Sequence, residues 1–275
     1  MVIKSGPGGE SLRLVGASAA AIQRAKETDN EAERDRHLAE GLALACESQL
    51  AAAYTYLQRA VALIAVFLPI VVVLGHYVSG GRELLGSISA YYYTHMGNVF
   101  VGSLCALAVF FLSYNYRPVR SFELDRKLSR LACVLAVGVA VFPTASVGEA
   151  AAGAAAVVSA LHRTFAVALF VLLGVFAHFI FTQTSSSAPM TPEKKKRNRL
   201  YRICGKVIFG SLAAGLAAAI LKPPSSWHVL LGVETVCVWA FGISWLVKGG
   251  FLGILADKAP TAVPSPPTLD AARRW

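Results

Sequence analysis

Six long apolar stretches, at residues 60–77, 96–114, 129–146, 164–182, 203–221 and 227–247, alternate with polar loops along most of the chain. In lipid every backbone N–H and C=O must be satisfied within its own segment, and about 18 to 20 apolar residues then cross the hydrocarbon core as a helix. The pattern predicts an all-α fold, a polytopic membrane protein built as a six-transmembrane-helix bundle. Upstream, residues 31–58 lack proline and are rich in Ala, Leu, Glu and Arg, which predicts a helix running into the first span. Leu38, Leu42, Ala45, Gln49 and Leu50 form a narrow apolar stripe on it, either a pairing surface or a face laid on the membrane. Residues 1–12 are Gly-rich, and the tail from 251 carries KAPTAVPSPPTLDAARRW; both are expected to be disordered.

Charge orients this pattern. The loop after the second stretch carries Arg117, Arg120, Arg126 and Lys127 with Arg130 beyond, and the loop after the fourth carries Lys194, Lys195, Lys196, Arg197, Arg199 and Arg202. The other three loops hold Arg82, Arg163 and Lys222, one each. Basic loops stay cytoplasmic, so both termini are expected in the cytoplasm and the three sparse loops outside. The organisation expected is a partly helical cytoplasmic segment at 1–57, a six-helix transmembrane domain at 58–250 and a cytoplasmic tail at 251–275. All nine tyrosines fall near predicted span ends, where an apolar ring with a polar tip suits the headgroup level. Gly210 with Ala214 and Ser211 with Gly215 put small residues four apart on the fifth span, where backbones can approach closely.

The chain is 55% hydrophobic and 15% charged, with a formal charge of +10. That excess lies beyond residue 57 and is spread over loops, with no basic and aromatic amphipathic element of the kind that reads bases, so a nucleic-acid partner is not expected. The basic run at Lys194, Lys195, Lys196, Arg197 and Arg199 would attract anionic lipid headgroups. Cys46, Cys105, Cys133, Cys204 and Cys237 are too scattered for a disulfide framework or a CxxC pair. A charged segment precedes the first stretch, so that stretch is expected to be a retained span and not a signal peptide. No internal repeat suggests the duplicated halves of a transporter.

Polar residues inside this apolar frame are the candidate chemistry. In residues 86–98, GSISAYYYTHMGN, a helical spacing would place Ser87, Tyr91, Thr94 or His95 and Asn98 on one polar face, which either closes a site or ties the loop to its neighbours. His76, His95, His162 and His228 all fall near one predicted membrane face, and neutral imidazoles there could hold zinc or sense external pH. No HxxxH, HxH or HExxH spacing puts two of them on one helix, so a metal site would need separate helices to converge. Glu234 is the one acidic residue deep in a predicted span; a carboxylate there is expected to face the bundle interior or to be protonated, with Arg163 the first cation to test as a partner. His178 and Lys206 lie near cytoplasmic span ends and read as interfacial.

The order of these elements resembles that of uncharacterised six-helix bacterial integral membrane proteins: SISAYYYT at 87–94, NVFVG at 98–102, Phe142-Pro143-Thr144, His162, NRLYR at 198–202, Glu234 and WAFG at 239–242. That group is similar in plan to the damage-regulated autophagy modulators, with six spans and an Ile-Ser motif after the first. The resemblance implies a multi-pass protein of the bacterial inner membrane, of unassigned biochemistry and linked to lipid organisation, and no catalytic residue is carried over from it. A comparison with ceramidase-like zinc hydrolases fails at the residues, because every aspartate lies outside the spans. The leading expectation is a non-enzymatic protein without a cofactor, whose outward polar pocket of Ser87, Tyr91, His95, Asn98, His162, Arg163 and Glu234 takes a lipid or small ligand. Two alternatives stay open: a zinc-dependent lipid hydrolase using His76, His95, His162 and His228, and a proton-linked carrier depending on Glu234.

Overall fold

The structure is a computed structural model that describes residues 7–113, 123–145, 152–183 and 191–251. These residues form seven α-helices and no strand: α1 Pro7–Glu27, α2 Glu31–Val78, α3 Gly97–Ser113, α4 Glu123–Val141, α5 Gly153–Val175, α6 Pro192–Leu221 and α7 Val229–Lys248. Four helical segments are long and apolar enough to cross a membrane: Glu31–Val78, Gly153–Ile180, Pro192–Leu221 and Ser225–Lys248. The helix Gly97–Ser113 is apolar but shorter. In α4 the charged residues Asp125, Arg126, Lys127 and Arg130 crowd the first turns and leave a shorter apolar run. The basic positions Arg117 and Arg120 and the tail beyond residue 251 lie outside the described residues.

The chain divides into two compact units. In the first, which ends at Ala53, α1 and the start of α2 form a helical hairpin. The Asn30 side chain caps α2 by accepting from the amides of Ala32 and Glu33 at 3.1 and 3.4 Å, which satisfies donors the helix cannot use internally. Small residues make the contact: Ala21 and Ala25 are buried, and the Ser18 hydroxyl donates to the Gly41 carbonyl at 2.7 Å. The face of α2 that α1 covers is therefore that of Gly41, while Leu38, Leu42 and Leu50 of the apolar stripe stay exposed. Residues 7–12, expected to be disordered, open α1. Pro7 suits a first helical position, where the missing N–H costs nothing.

The second unit runs from Tyr54 and holds the rest of α2 with α3 to α7. As expected, α2 is one helix of 48 residues through Pro69. A proline there cannot donate to the carbonyl of Ala65, and the adjacent carbonyl of Val66 accepts from the Trp239 indole at 2.9 Å, so α7 supplies polar contact beside the interrupted ladder. Gly242 lets those two helices close up: a Cβ there would lie 2.8 Å from Val66 Cγ2 and 3.2 Å from the Ala62 carbonyl. Across the antiparallel α6 and α7 seam, Cys204 faces Ser244 and Cys237 faces Ser211, two turns apart. Aromatic rings fill one end of the bundle. Trp245 packs edge-on against Phe110 at 4.7 Å and Phe181 at 4.9 Å, and Phe111 stands 6.1 Å from Phe176 and 6.0 Å from Phe241.

Helix ends differ informatively from the apolar limits. α5 begins at Gly153, eleven residues before the expected span, because the Ala-rich run 153–160 continues the helix backward. α4 ends at Val141 ahead of Pro143, since a proline disfavours helical geometry in the residue before it. α5 runs on into a π turn, Phe176–Ile180, where the Phe181 amide reaches back to the Phe176 carbonyl at 2.9 Å.

The close α2 and α7 contact makes a specific demand. Replacing Gly242 with Ala is expected to lower stability by about 1–3 kcal/mol through overpacking. Gly232→Ala, where a Cβ meets nothing within 4 Å, should be neutral or stabilising by up to about 1 kcal/mol. Thermal unfolding of both purified variants in detergent checks the pair.

Candidate functional site

The connection from α2 to α3 is a folded plug. Residues Ser89–Tyr93 form a 3-10 helix, with Ser89, Ala90 and Tyr91 buried. The Ser87 hydroxyl accepts from the Ala90 amide at 3.0 Å and lies 3.2 Å from Ser89 Oγ, as a short hydroxyl side chain at a turn entrance does. Tyr91, fully buried, folds its ring back so that its hydroxyl accepts from the Leu85 amide at 3.3 Å. Burial pushes the Tyr91 phenol above its ordinary pKa, with the Leu85 amide opposing, so it remains a neutral donor and acceptor. At the far side Thr94 donates to the Tyr91 carbonyl at 2.8 Å and accepts from the Met96 amide at 3.1 Å. A Cβ on Gly97 would run into the Tyr92 carbonyl oxygen, so only glycine lets α3 start this close to the plug.

Glu234 fastens the plug to α7. Its Oε2 accepts from the Ile88 amide at 2.5 Å, and the Ser89 amide also contributes. The expected partner, Arg163, is elsewhere: it is exposed and its Nη1 donates to Ser159 Oγ at 3.1 Å. Among the described residues no ion pair includes Glu234. Backbone amides at the start of a 3-10 turn are good partners for a buried carboxylate, because each hydrogen bond offsets part of the cost of taking it from water. A second fastening runs from Tyr93, whose hydroxyl donates to the Thr144 carbonyl at 2.6 Å just beyond α4.

Below the plug lies a chamber of about 70 Å³. Ala65 and Leu68 come from α2, Phe100, Leu104, Leu107 and Phe111 from α3, Ala136 and Val139 from α4. His162, Ala166, Leu169, Phe170 and Leu173 come from α5, and Glu234, Val238 and Phe241 from α7. Ile88 and Ser89 close one end, and Phe111 and Phe241 join the opposite end to the aromatic cluster. Among the described residues the polar lining is Ser89, His162 and Glu234. His162 is 3% exposed, and its Nδ1 lies 2.7 Å from the Phe142 carbonyl; only a protonated Nδ1 can pair with a carbonyl, so the neutral ring keeps its lone pair on Nε2.

Serine, histidine and carboxylate therefore line one chamber without forming a hydrolytic relay. In such a relay the acid orients the imidazole and the imidazole takes the serine proton. Here a backbone carbonyl orients His162, another hydroxyl neighbours Ser89, and Glu234 holds a loop amide.

The other sequence candidates part company. Ser87 and Tyr91 are buried in the plug, and His76 packs edge-on against Tyr91 with centroids 5.4 Å apart. His95 and Asn98 are exposed. They do not join Ser87 and Tyr91 on one face, because the segment is a 3-10 turn followed by a bend and not a continuous α-helix. His228 stands in a left-handed conformation, φ 44°, at the N-cap of α7. Among the described residues no three His, Cys, Asp or Glu side chains gather as metal ligands would. Sequence reasoning missed Ser89 as a chamber residue, although it lies in the SIS motif, and missed the Ile88 amide, the Phe142 carbonyl and Ser159. Backbone groups carry no residue signature, so burial of Glu234 was the one available clue.

The Glu234 fastening predicts an ordered series. Glu234→Ala leaves buried amides without an acceptor and is expected to cost about 1–3 kcal/mol. Glu234→Gln keeps an acceptor oxygen and should retain most of the wild-type thermal midpoint, and equal losses from the two variants would contradict the capping role. Comparison of the chain with protein-family models, with curated proteins and with solved structures found no match.

Proposed function

We propose that this chain is a six-span protein of the bacterial inner membrane that holds a lipid or small ligand, without catalysis, in the chamber beneath the α2–α3 plug. The observation that carries the proposal is the chamber itself: five helices converge on a narrow apolar space whose few polar groups cluster at one end. Binding sites are commonly concave and apolar with a small number of placed polar groups, and sites between helices of a bundle fit that description. The unassembled relay favours holding a ligand over transforming it.

In this reading α3 and α4, with adjoining residues, complete six crossings. The plug end faces outward and both termini lie in the cytoplasm, a reading supported by the basic residues from Lys194 to Arg202 at the start of α6. Those residues would also attract anionic headgroups. The plan shared with the damage-regulated autophagy modulators belongs to the same proposal.

Two measurements test it. Alkaline phosphatase fused after Gly80 should be active and after Met190 inactive; the reverse pattern would refute the orientation. Native mass spectrometry of the full chain released from mild detergent should show a co-purified small molecule or lipid at near-stoichiometric occupancy. Leu169→Trp, which fills the chamber, should remove it, and a bound species insensitive to that change would place the ligand elsewhere.

A further inference from the structure

Three polar side chains meet at the plug end of the chamber. We infer that they form a binding site for ordered water, in which one molecule bridges Glu234 of α7 and His162 of α5. These side chains need partners whatever the apolar part of the chamber holds, so the water site does not depend on the ligand-binding reading above. Along α5 the lining runs from His162 through Ala166 and Leu169 to Leu173, and along α7 from Glu234 through Val238 to Phe241. Phe181, just past α5, meets Trp245 near the end of α7 at 4.9 Å, so both helices run toward the aromatic cluster. His162 and Glu234 are thus the lining residues of their helices farthest from that cluster, on the side that Ile88 and Ser89 close.

Both side chains are more than nine-tenths buried and keep bonding capacity that the protein does not use. With Nδ1 donating to the Phe142 carbonyl at 2.7 Å, the neutral His162 ring has an acceptor left at Nε2. Glu234 receives the amides of Ile88 and Ser89, which take two of the roughly four lone-pair sites on a carboxylate. Ser89 Oγ shares one hydrogen with Ser87 Oγ across 3.2 Å and retains lone pairs. Buried polar groups find partners, and a buried water typically makes about three hydrogen bonds to groups of this kind. Water also suits Glu234 in either protonation state: it donates to a carboxylate or accepts from a carboxylic acid, while its other hydrogen goes to His162 Nε2.

The volume agrees. A water needs roughly 10–15 Å³ of cavity space and takes about 30 Å³ in the liquid, so the chamber of about 70 Å³ has room for about two. The walls below, from Leu169 and Val238 to Phe111 and Phe241, offer no polar side chain, and apolar space of that kind stays dry. Water is therefore confined to the plug end. There it closes a chain of hydrogen bonds that runs from the Ile88 amide through Glu234, the water and His162 to the Phe142 carbonyl just beyond α4. Tyr93 reaches the Thr144 carbonyl two residues further on, so the plug is tied to the exit of α4 by two routes.

A structure of the full chain in detergent, determined at a resolution that shows ordered water, tests the site together with hydrogen exchange of the plug. Density is expected within about 2.6–3.2 Å of both His162 Nε2 and a Glu234 oxygen. His162→Phe removes the acceptor at a similar shape, and the plug amides at Ile88 and Ser89 should then exchange about tenfold faster. His162→Gln, which again offers an acceptor, should stay within about threefold of the wild type. A direct hydrogen bond between Nε2 and Glu234, or plug exchange unchanged by His162→Phe, overturns the inference. The polar head of a bound molecule in the water's place also overturns it and leaves the ligand-binding reading standing. Should His162→Phe fail to fold, the wild-type density and the His162→Gln exchange rate decide between these outcomes.

Discussion

A buried carboxylate bonded to backbone amides is the constraint on which the second unit of this molecule turns. Glu234 stands in the apolar wall of α7, where an unpartnered charge would be prohibitively costly. Its partner is the peptide backbone at Ile88 and Ser89, on the connection between α2 and α3. Those amides stand at the entrance of the 3-10 turn of residues 89–93, so the same local geometry that forms the turn presents them to the carboxylate. The plug then needs its own closure, from Ser87, Tyr91, Thr94 and Gly97, and each of these is a local device that tightens the turn. The chamber exists because the plug stops above it and does not collapse into it.

The helices around the chamber are held by means suited to an apolar surround. Within lipid there is no hydrophobic drive between helices, so close packing and short polar contacts must do the binding. Gly242 gives α2 and α7 backbone contact, the Trp239 indole reaches the Val66 carbonyl, and cysteine and serine face each other at two levels between α6 and α7. Below the chamber, Trp245, Phe110, Phe181 and Phe241 lock one end with edge-to-face contacts.

Much of this fold was legible in the sequence because apolar length is a direct physical requirement. The long helices follow from it, and the single helix from residue 31 to 78 follows from the composition of its first half. Helix ends were less legible. The span containing His162 was expected to begin at residue 164, since His162 and Arg163 read as a polar boundary, yet the Ala-rich run before them carries α5 back to Gly153. His162 is therefore the tenth residue of a helix, and its ring faces the chamber. The grouping of Ser87, Tyr91, His95 and Asn98 rested on α-helical spacing, and a 3-10 turn with a bend separates them. Glu234 was visible as an anomaly, but its partners were not, because an amide donor looks the same at every residue.

The orientation of His162 bears most on what the site does. An imidazole that serves as a base presents one nitrogen to the reacting group and has the other fixed by an acid that stabilises the positive charge as it forms. Here a neutral carbonyl fixes Nδ1, and the carboxylate that could have done so is committed to the plug. Protonating His162 would leave a positive charge in an apolar wall, neutralised by no ion pair among the described residues. The ring is thus set up to accept a hydrogen bond and keep it.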